Sequence, residues 1–330
     1  MKSPRLKTTG KAIVIRALAN EALLRVKRAR IVSTQSLLIL NLHRVGAPDE
    51  RAFSPLSLDL FEALLQYLTK YFELVLFSDL AELPAATRPR AILSFDDGYG
   101  DFLDRALPLL DRYRVRVNHN VIPSCIESGL PPLNVLLAAY VEQASRPALE
   151  KLRSAGIPID TSLPPGRLGD SISAFIAALP VTSQDRVREI CLPQMLDDGA
   201  SAAIPMLSRE EIREIVSKHE IGAHSFHHAS MGIESDDYLR ADVKACRQYF
   251  LDKLSMRLAI YAFPNGSHRP GQSEILRSEG IEHVLLVGED FSATDAHVHH
   301  RLTFDARFEP EVYFRGTGSY RWPAGSRGVE

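Results

Sequence analysis

The sequence predicts an α/β fold built on a mainly parallel sheet or barrel. Three observations carry this. Short β-rich apolar runs alternate with longer helical stretches over most of the chain, the pattern of repeated strand-helix units. Three of the runs end abruptly in turns rich in Asp, His, Asn or Gly, at the strand ends where α/β barrels gather their functional groups. The 330 residues suit one large domain of this kind.

Taken in order, Leu37–Leu42 reads as a buried strand and Leu58–Tyr71 as an amphipathic helix. A second strand is expected over Phe72–Phe77 and a third over Arg90–Phe95, the latter stopping at Asp96-Asp97-Gly98. Phe102–Tyr113 reads as a helix and Val115–Ile122 as a strand. Later come a helix over Arg209–His219 and a short strand at Glu220–Ala223. The helix opens on a capping box, Ser208 with Glu211. A long helix at Asp236–Leu254, a strand at Leu258–Phe263, a helix near Ser273–Ser278 and a strand at His283–Val287 follow. Between about 125 and 205 the strand signal disappears. Pro132–Gln143, Pro147–Ala155, Ser171–Ala178 and Ser183–Cys191 read as helical segments broken by Pro and Gly. That stretch is expected to be a helical insertion over one end of the barrel, inside a domain spanning 36–330.

Composition narrows the function classes. Apolar residues make up 45% and charged residues 24%, a soluble globular profile with a substantial core. A net charge of -2 argues against nucleic acid as a partner. The three cysteines Cys125, Cys191 and Cys246 match neither a zinc ribbon nor a disulfide framework. With no spanning apolar run and no leader pattern, the expected location is cytoplasmic. Residues 1–35 form a separate basic helical segment in this reading. Residues 1–30 carry nine Lys or Arg against the single acid Glu21, with Ile13, Val14, Ala17, Leu18, Leu23 and Leu24 interleaved at helical spacing. Such a segment either packs as a solvated helix beside the domain or makes a peripheral contact with an anionic membrane.

Three constellations carry chemistry. The first is Ser94-Phe95-Asp96-Asp97-Gly98. Neighbouring residues on an extended strand point opposite ways, so one carboxylate can reach a metal while the other acts on water. The second is His224-Ser225-Phe226-His227-His228, rich in the commonest nitrogen ligand of zinc. The third, Phe263-Pro264-Asn265-Gly266, is a tight turn after a strand. Asn118-His119-Asn120 is an unusually polar strand end and a weaker candidate for a sugar pocket.

In order and character these motifs resemble the polysaccharide deacetylase family, the NodB-homology carbohydrate esterases. Its Thr/Ser-Phe-Asp-Asp-Gly corresponds to Ser94–Gly98 and its His-Ser/Thr-x-x-His to His224–His228. Its third motif is present only in part, as Ala262–Gly266. The resemblance covers roughly 36–122 and 206–305. It implies a NodB-like distorted (β/α) barrel and removal of an N-acetyl group from an amino sugar. It further implies one divalent ion on Asp97, His224 and His228, zinc first, with cobalt, nickel or manganese compatible. Asp96 is then the general base, and the backbone N–H of Tyr99 the oxyanion donor.

The chain also departs from the family. A Leu-x-His near the C-terminus is not clearly matched by His297-Val298-His299-His300. His43, ending the first strand, resembles the N-terminal Tyr-His of a rearranged branch and is the favoured general acid, with His299 or His300 the alternatives. Ala262 stands where the family usually has an Arg that orients the base, and Arg301 is a possible substitute. His227 is expected to point away from the metal. The substrate is expected to be an N-acetylated sugar in a polysaccharide, a lipid-linked glycan or a small glycoside. A metal-retaining carbohydrate-binding protein without catalysis, or an amidase acting on a non-sugar amide, are the alternatives.

Overall fold

The computed structural model of the chain describes residues 4–47, 53–199 and 204–323. Seven parallel strands close on themselves. They are β1 (Ser36–Leu42), β2 (Arg90–Asp97), β3 (Asn118–Val121), β4 (Glu220–Ala223), β5 (Ile260–Ala262), β6 (His283–Val287) and β7 (Val298–Thr303). β1 pairs with β2 on one side and with β7 on the other, which completes the ring. Two short strands extend its sheet, Glu73–Leu74 beside the start of β2 and Ser292–Ala293 antiparallel to the start of β1, while Val45–Gly46 and Leu56–Ser57 pair in a separate parallel sheet. The expected NodB-like (β/α) barrel is the observed fold.

Strand alternation divides the residues of every strand between two environments. Outward side chains such as Leu38, Leu40, Leu93, Phe95 and Tyr261 join the main apolar core under the surrounding helices. The helix Leu58–Tyr71 lays Phe61, Leu64, Leu65 and Leu68 on that core, all with no solvent exposure. Each such burial contributes roughly 1.5–3 kcal/mol. Inward side chains Leu37, Ile39, Ile92, Ile260 and Leu285 fill the lower barrel with Val75, Phe77 and Leu80. Higher up, the inward positions turn polar: Asn41, Ser94, Asp96, Asn118, Asn120 and Arg301 are all essentially buried.

Two elements differ in kind from expectation, while the strands expected at Val115–Ile122 and Leu258–Phe263 and the helix expected at Arg209–His219 shorten to Asn118–Val121, Ile260–Ala262 and Arg209–Ile215. Strand Phe72–Phe77 shrinks to Glu73–Leu74, and the chain then turns as a 3-10 helix over Phe77–Glu82. Phe77 leaves the sheet edge to plug the barrel floor. Its N–H and that of Ser78 donate to the Glu220 carboxylate at 3.1 and 2.8 Å, which replaces the lost ladder bonds. The helix expected over Phe102–Tyr113 begins as a π-turn, Phe102–Ala106, before the α-helix Leu107–Tyr113. Pro108 has no N–H to offer that junction, and a wider turn accommodates the missing donor.

Between β3 and residue 199 the chain holds the helices Pro123–Ser128, Leu133–Val141, Arg146–Ser154, Pro165–Ala177 and Val181–Asp197, with Arg209–Ile215 following before β4. Residues 200–203 of the expected insertion lie outside the described residues. Of the first five helices, all but Pro123–Ser128 belong to the insertion's own layer and share an apolar cluster that includes Leu137, Tyr140, Leu152, Ile172 and Met195. Leu133–Val141 is buried on every face, because Val135 and Ala139 also pack with Tyr99, Ile122 and Met206 beside the barrel mouth.

Before β1 the chain forms α1 (Pro4–Leu18) and α2 (Glu21–Ser33), separated at Asn20, whose Oδ1 accepts from Ala22 N and caps α2. Lys2, one of the nine basic residues, lies outside the described residues. Two others are buried. Lys27 donates to Ser319 O, while Arg28 donates to Tyr67 Oη at 2.8 Å and stacks over the Tyr71 ring. Among the described residues no helix is long and apolar enough to cross a membrane.

Candidate metal centre and active site

β2 delivers both carboxylates. Asp96 continues the inward column of Ile92 and Ser94. Asp97 would point outward on a straight strand, but its φ of +76° turns the backbone and brings the side chain over the mouth. Gly98 follows at φ +85°, a conformation open to glycine, and a β-carbon there would stand 3.4 Å from Val121 Cγ1. Both carboxylates therefore line one cavity of 370 Å³, together with His43, Arg44, Tyr99, His224, His228, Phe263 and Asn265.

Asp97 Oδ1 lies 3.5 Å from His224 Nε2 and 3.4 Å from His228 Nε2. All three residues are buried, and Oδ1 has no hydrogen-bond partner among the described residues. A buried, unpartnered carboxylate oxygen facing two imidazole nitrogens is costly unless a cation sits among them. Tetrahedral ligands at about 2.0–2.1 Å from zinc stand about 3.3–3.4 Å apart, close to the two Asp97–histidine distances, and the three ligand atoms all lie within 4.8 Å of one another. The donor set therefore fits a divalent ion. His224 Nδ1 donates to the Ala262 carbonyl at 2.9 Å, which leaves Nε2 as the ligand nitrogen. Burial holds the His228 imidazole down to about 4, neutral as a ligand must be.

The histidine loop has a support that the sequence reading missed. Asp242, on the helix Asp236–Leu254, accepts from Ser225 Oγ and Phe226 N, each at 2.9 Å, and from Tyr261 Oη at 2.7 Å. Ser225 Oγ in turn accepts from Ala229 N. These bonds hold Ser225 and His228 at φ +60°, outside the usual range for such residues. The available signal was an acid on the buried face of that helix, at the spacing Leu239, Asp242, Val243, Cys246.

Asp96 sits in a different environment. Arg301 Nη1 and Nη2 donate to its two oxygens at 2.7 and 2.9 Å, and Asn120 Nδ2 and Asn41 Nδ2 donate at 2.8 and 3.0 Å. Burial alone would raise this carboxyl, but the Arg301 guanidinium, aided by His224 and His43, holds it well below the usual carboxylate range. Ala262 contributes only its carbonyl, and a guanidinium reaches Asp96 from β7.

Period-two alternation settles where the remaining histidines lie. The inward column of β7 runs His299, Arg301, Thr303. His299 is on the barrel floor, bonded to His283 at 3.1 Å and beside Phe77, while Thr303 lines the cavity. His300 faces the other way, against Gly288 and Ser292. Of the three histidines weighed as acid, His43 alone lines the cavity. His227 packs on Phe226, outside the Asp97–His224–His228 set. Asn118, His119 and Asn120 do not form a pocket wall, which corrects the sequence expectation. The barrel closes around them, so that Asn118 accepts from Ser94 Oγ and His119 stacks on Phe102.

Tyr99 bridges to Met206 from the insertion side. Gly98 O and Gly100 N are taken by Leu207 N and Pro205 O, while the N–H of Tyr99 makes no backbone bond among the described residues. Its buried hydroxyl lies near Asp97, and burial followed by that carboxylate raises it well above the usual phenol range.

The sequence profile of the family described as polysaccharide deacetylase matches residues 174–284, a stretch that takes in His224 and His228. The chain resembles the polysaccharide deacetylases. Among solved structures, the deacetylase PplD of Streptococcus pyogenes, in complex with acetate, is 15% identical with a TM-score of 0.58, covering 86% of this chain and 98% of that one. IcaB from Ammonifex degensii is 16% identical with a TM-score of 0.54, covering 86% and 97%. The de-N-acetylase from Aggregatibacter actinomycetemcomitans is 13% identical with a TM-score of 0.51, covering 83% and 97%. At these identities the likeness to the polysaccharide deacetylases is one of fold. No curated protein matches the sequence.

Proposed function

We propose that this chain is a metal-dependent N-deacetylase of an amino sugar, within the polysaccharide deacetylase resemblance. The observation that carries the reading is the unpartnered Asp97 Oδ1, held within 3.5 Å of His224 and His228 at the cavity that also holds Asp96. A divalent ion on those three residues, zinc in the first instance, supplies Lewis acidity and a more acidic water. Asp96 accepts the proton of the attacking water. The four donors that keep Asp96 ionised also make it a weak base. The N–H of Tyr99 donates to the developing oxyanion. His43 delivers a proton to the leaving amine, which departs poorly without one.

The partner in this reading is an N-acetylated sugar. The three cysteines are free and buried, which suits the reducing cytoplasm that completes the proposal.

The test is metal content measured together with acetate release, on purified protein given N-acetylated amino sugars with and without chelator. Near one ion per chain and chelator-sensitive acetate release are the expected results. Bound ion without acetate from any sugar moves the assignment to a non-sugar amide or to carbohydrate binding, and absence of ion overturns it. Asp96→Asn is expected to keep the ion and lose turnover, while His228→Ala is expected to lose the ion.

A further inference from the structure

On α1, Ile15 is buried against the body of the protein. The opposite face leaves Ile13 63% and Val14 50% exposed, with Ala17 exposed beside them. An ordinary surface helix carries polar residues there. At 100° per residue, Ile13, Val14 and Ala17 form one stripe, bordered by Lys11 on one side and Arg16 on the other. α2 repeats the arrangement: Val26 is 58% exposed, next to Ala22 and Ala29, with Arg25 and Arg30 at the borders. Lys11 and Arg25 have no carboxylate partner among the described residues, and Glu21 is already paired with Arg28. Trp322, the only tryptophan of the chain, is half exposed beside α2, with Lys27 Nζ 5.9 Å from its ring.

We infer that the α1–α2 pair is a docking surface for an anionic lipid bilayer. Apolar stripes with cationic borders suit the boundary between acyl chains and headgroups, where the side chains between them enter the bilayer and the borders meet phosphate. An exposed indole suits the same depth. A second copy of the chain is a poor occupant, because a symmetric contact through this face sets Lys11, Arg16, Arg25 and Arg30 against their own copies. The Arg16 border of the surface adjoins a segment that reaches the mouth of the barrel. The Arg16 guanidinium stands 5.5 Å from the Phe308 ring, and Phe304 and Asp305 of the same segment line the cavity. The inference does not depend on the deacetylase reading, since its test requires no turnover.

The experiment is flotation of the full chain with phosphatidylserine–phosphatidylcholine vesicles and with phosphatidylcholine alone, while Trp322 emission is followed. Binding to the anionic vesicles, a blue-shifted emission and release at about 0.5 M salt, where the screening length falls to a few ångströms, are expected. Lys11→Gln and Arg25→Gln are expected to weaken binding about fivefold each. Ile13→Ser with Val14→Ser is expected to weaken it more than tenfold. These positions are exposed, so an unchanged circular dichroism spectrum and melting temperature serve as the folding control. Failure to float with anionic vesicles overturns the proposal. So does equal binding to both vesicle types without salt dependence, or vesicle-free dimerisation abolished by the same substitutions.

Discussion

Arg301 grips Asp96 with both terminal nitrogens, at 2.7 and 2.9 Å, and neither residue is exposed to solvent by more than 1%. The pair joins the last barrel strand to the second and sets both the charge and the orientation of the carboxylate. Arg301→Lys keeps the charge but cannot make both bonds. It is expected to lower kcat at least tenfold with metal content unchanged. The Asp96 carboxyl should rise with the loss of a donor, so the acid limb of the pH–rate profile moves to higher pH. A profile that stays in place would show that Arg301 serves the fold alone.

His43 and His300 offer a clean contrast, since one lines the cavity and the other packs on Gly288. His43→Gln is expected to cost 10²–10⁴-fold in kcat, the usual contribution of a positioned acid, with the ion retained. His300→Gln is expected to leave kcat within a few fold. Steady-state kinetics on a common N-acetylated substrate decides between them.

The Asp242 carboxylate accepts three bonds that shape the histidine loop. Asp242→Asn loses at least one acceptor for a buried donor, at a cost of about 1–3 kcal/mol. It is also expected to weaken metal affinity about 10–100-fold, as loss of an outer partner does. Denaturant unfolding with chelator, and metal titration without it, separate the two effects.

The acid response of the fold can be read from histidines away from the metal. Burial pushes His119 down to about 3 and His219 down to about 4, and both ring nitrogens of His119 are without partners. The unfolded chain takes up these protons near pH 6.5 and the folded chain refuses them. Stability is therefore complete above pH 6.5 and falls with decreasing pH, by up to about 1.4 kcal/mol per unit for each histidine. Urea unfolding at pH 7, 6 and 5 measures the slope. His119→Phe, which keeps the stacking on Phe102, is expected to make it shallower.

How much of this was legible in the sequence depended on whether the information was local. The strand His283–Val287 and the helix Leu58–Tyr71 carry their periodicity within a few residues, and both have the bounds expected. Asp96, Asp97, His224 and His228 announce themselves as clusters of ligand and acid types at strand ends. Asn41 and Asp242 do not, because a lone polar residue on a buried face acquires meaning only from partners that the fold brings to it. Phe77 was misplaced for the same reason: its β-rich neighbourhood favours a strand, and the competing attraction is a barrel floor built from residues far along the chain. The inward column of β7 shows the opposite case, in which simple alternation separates His299 from His300 once one register is known.

The barrel closure has a consequence for when the protein becomes chemically competent. Arg301 touches Asn41 at 3.1 Å across a sequence separation of 260 residues, and both hold Asp96. The Asp-Asp-Gly and histidine segments are made earlier, but the carboxylate between them lacks its guanidinium until the final strand has met the first. On the proposed function, the three groups that would hold an ion are thus made well before the proposed base has its full set of donors. Completion of the ring is then the last step in assembling the proposed base, and a shortened product ending before β7 is expected to be inactive.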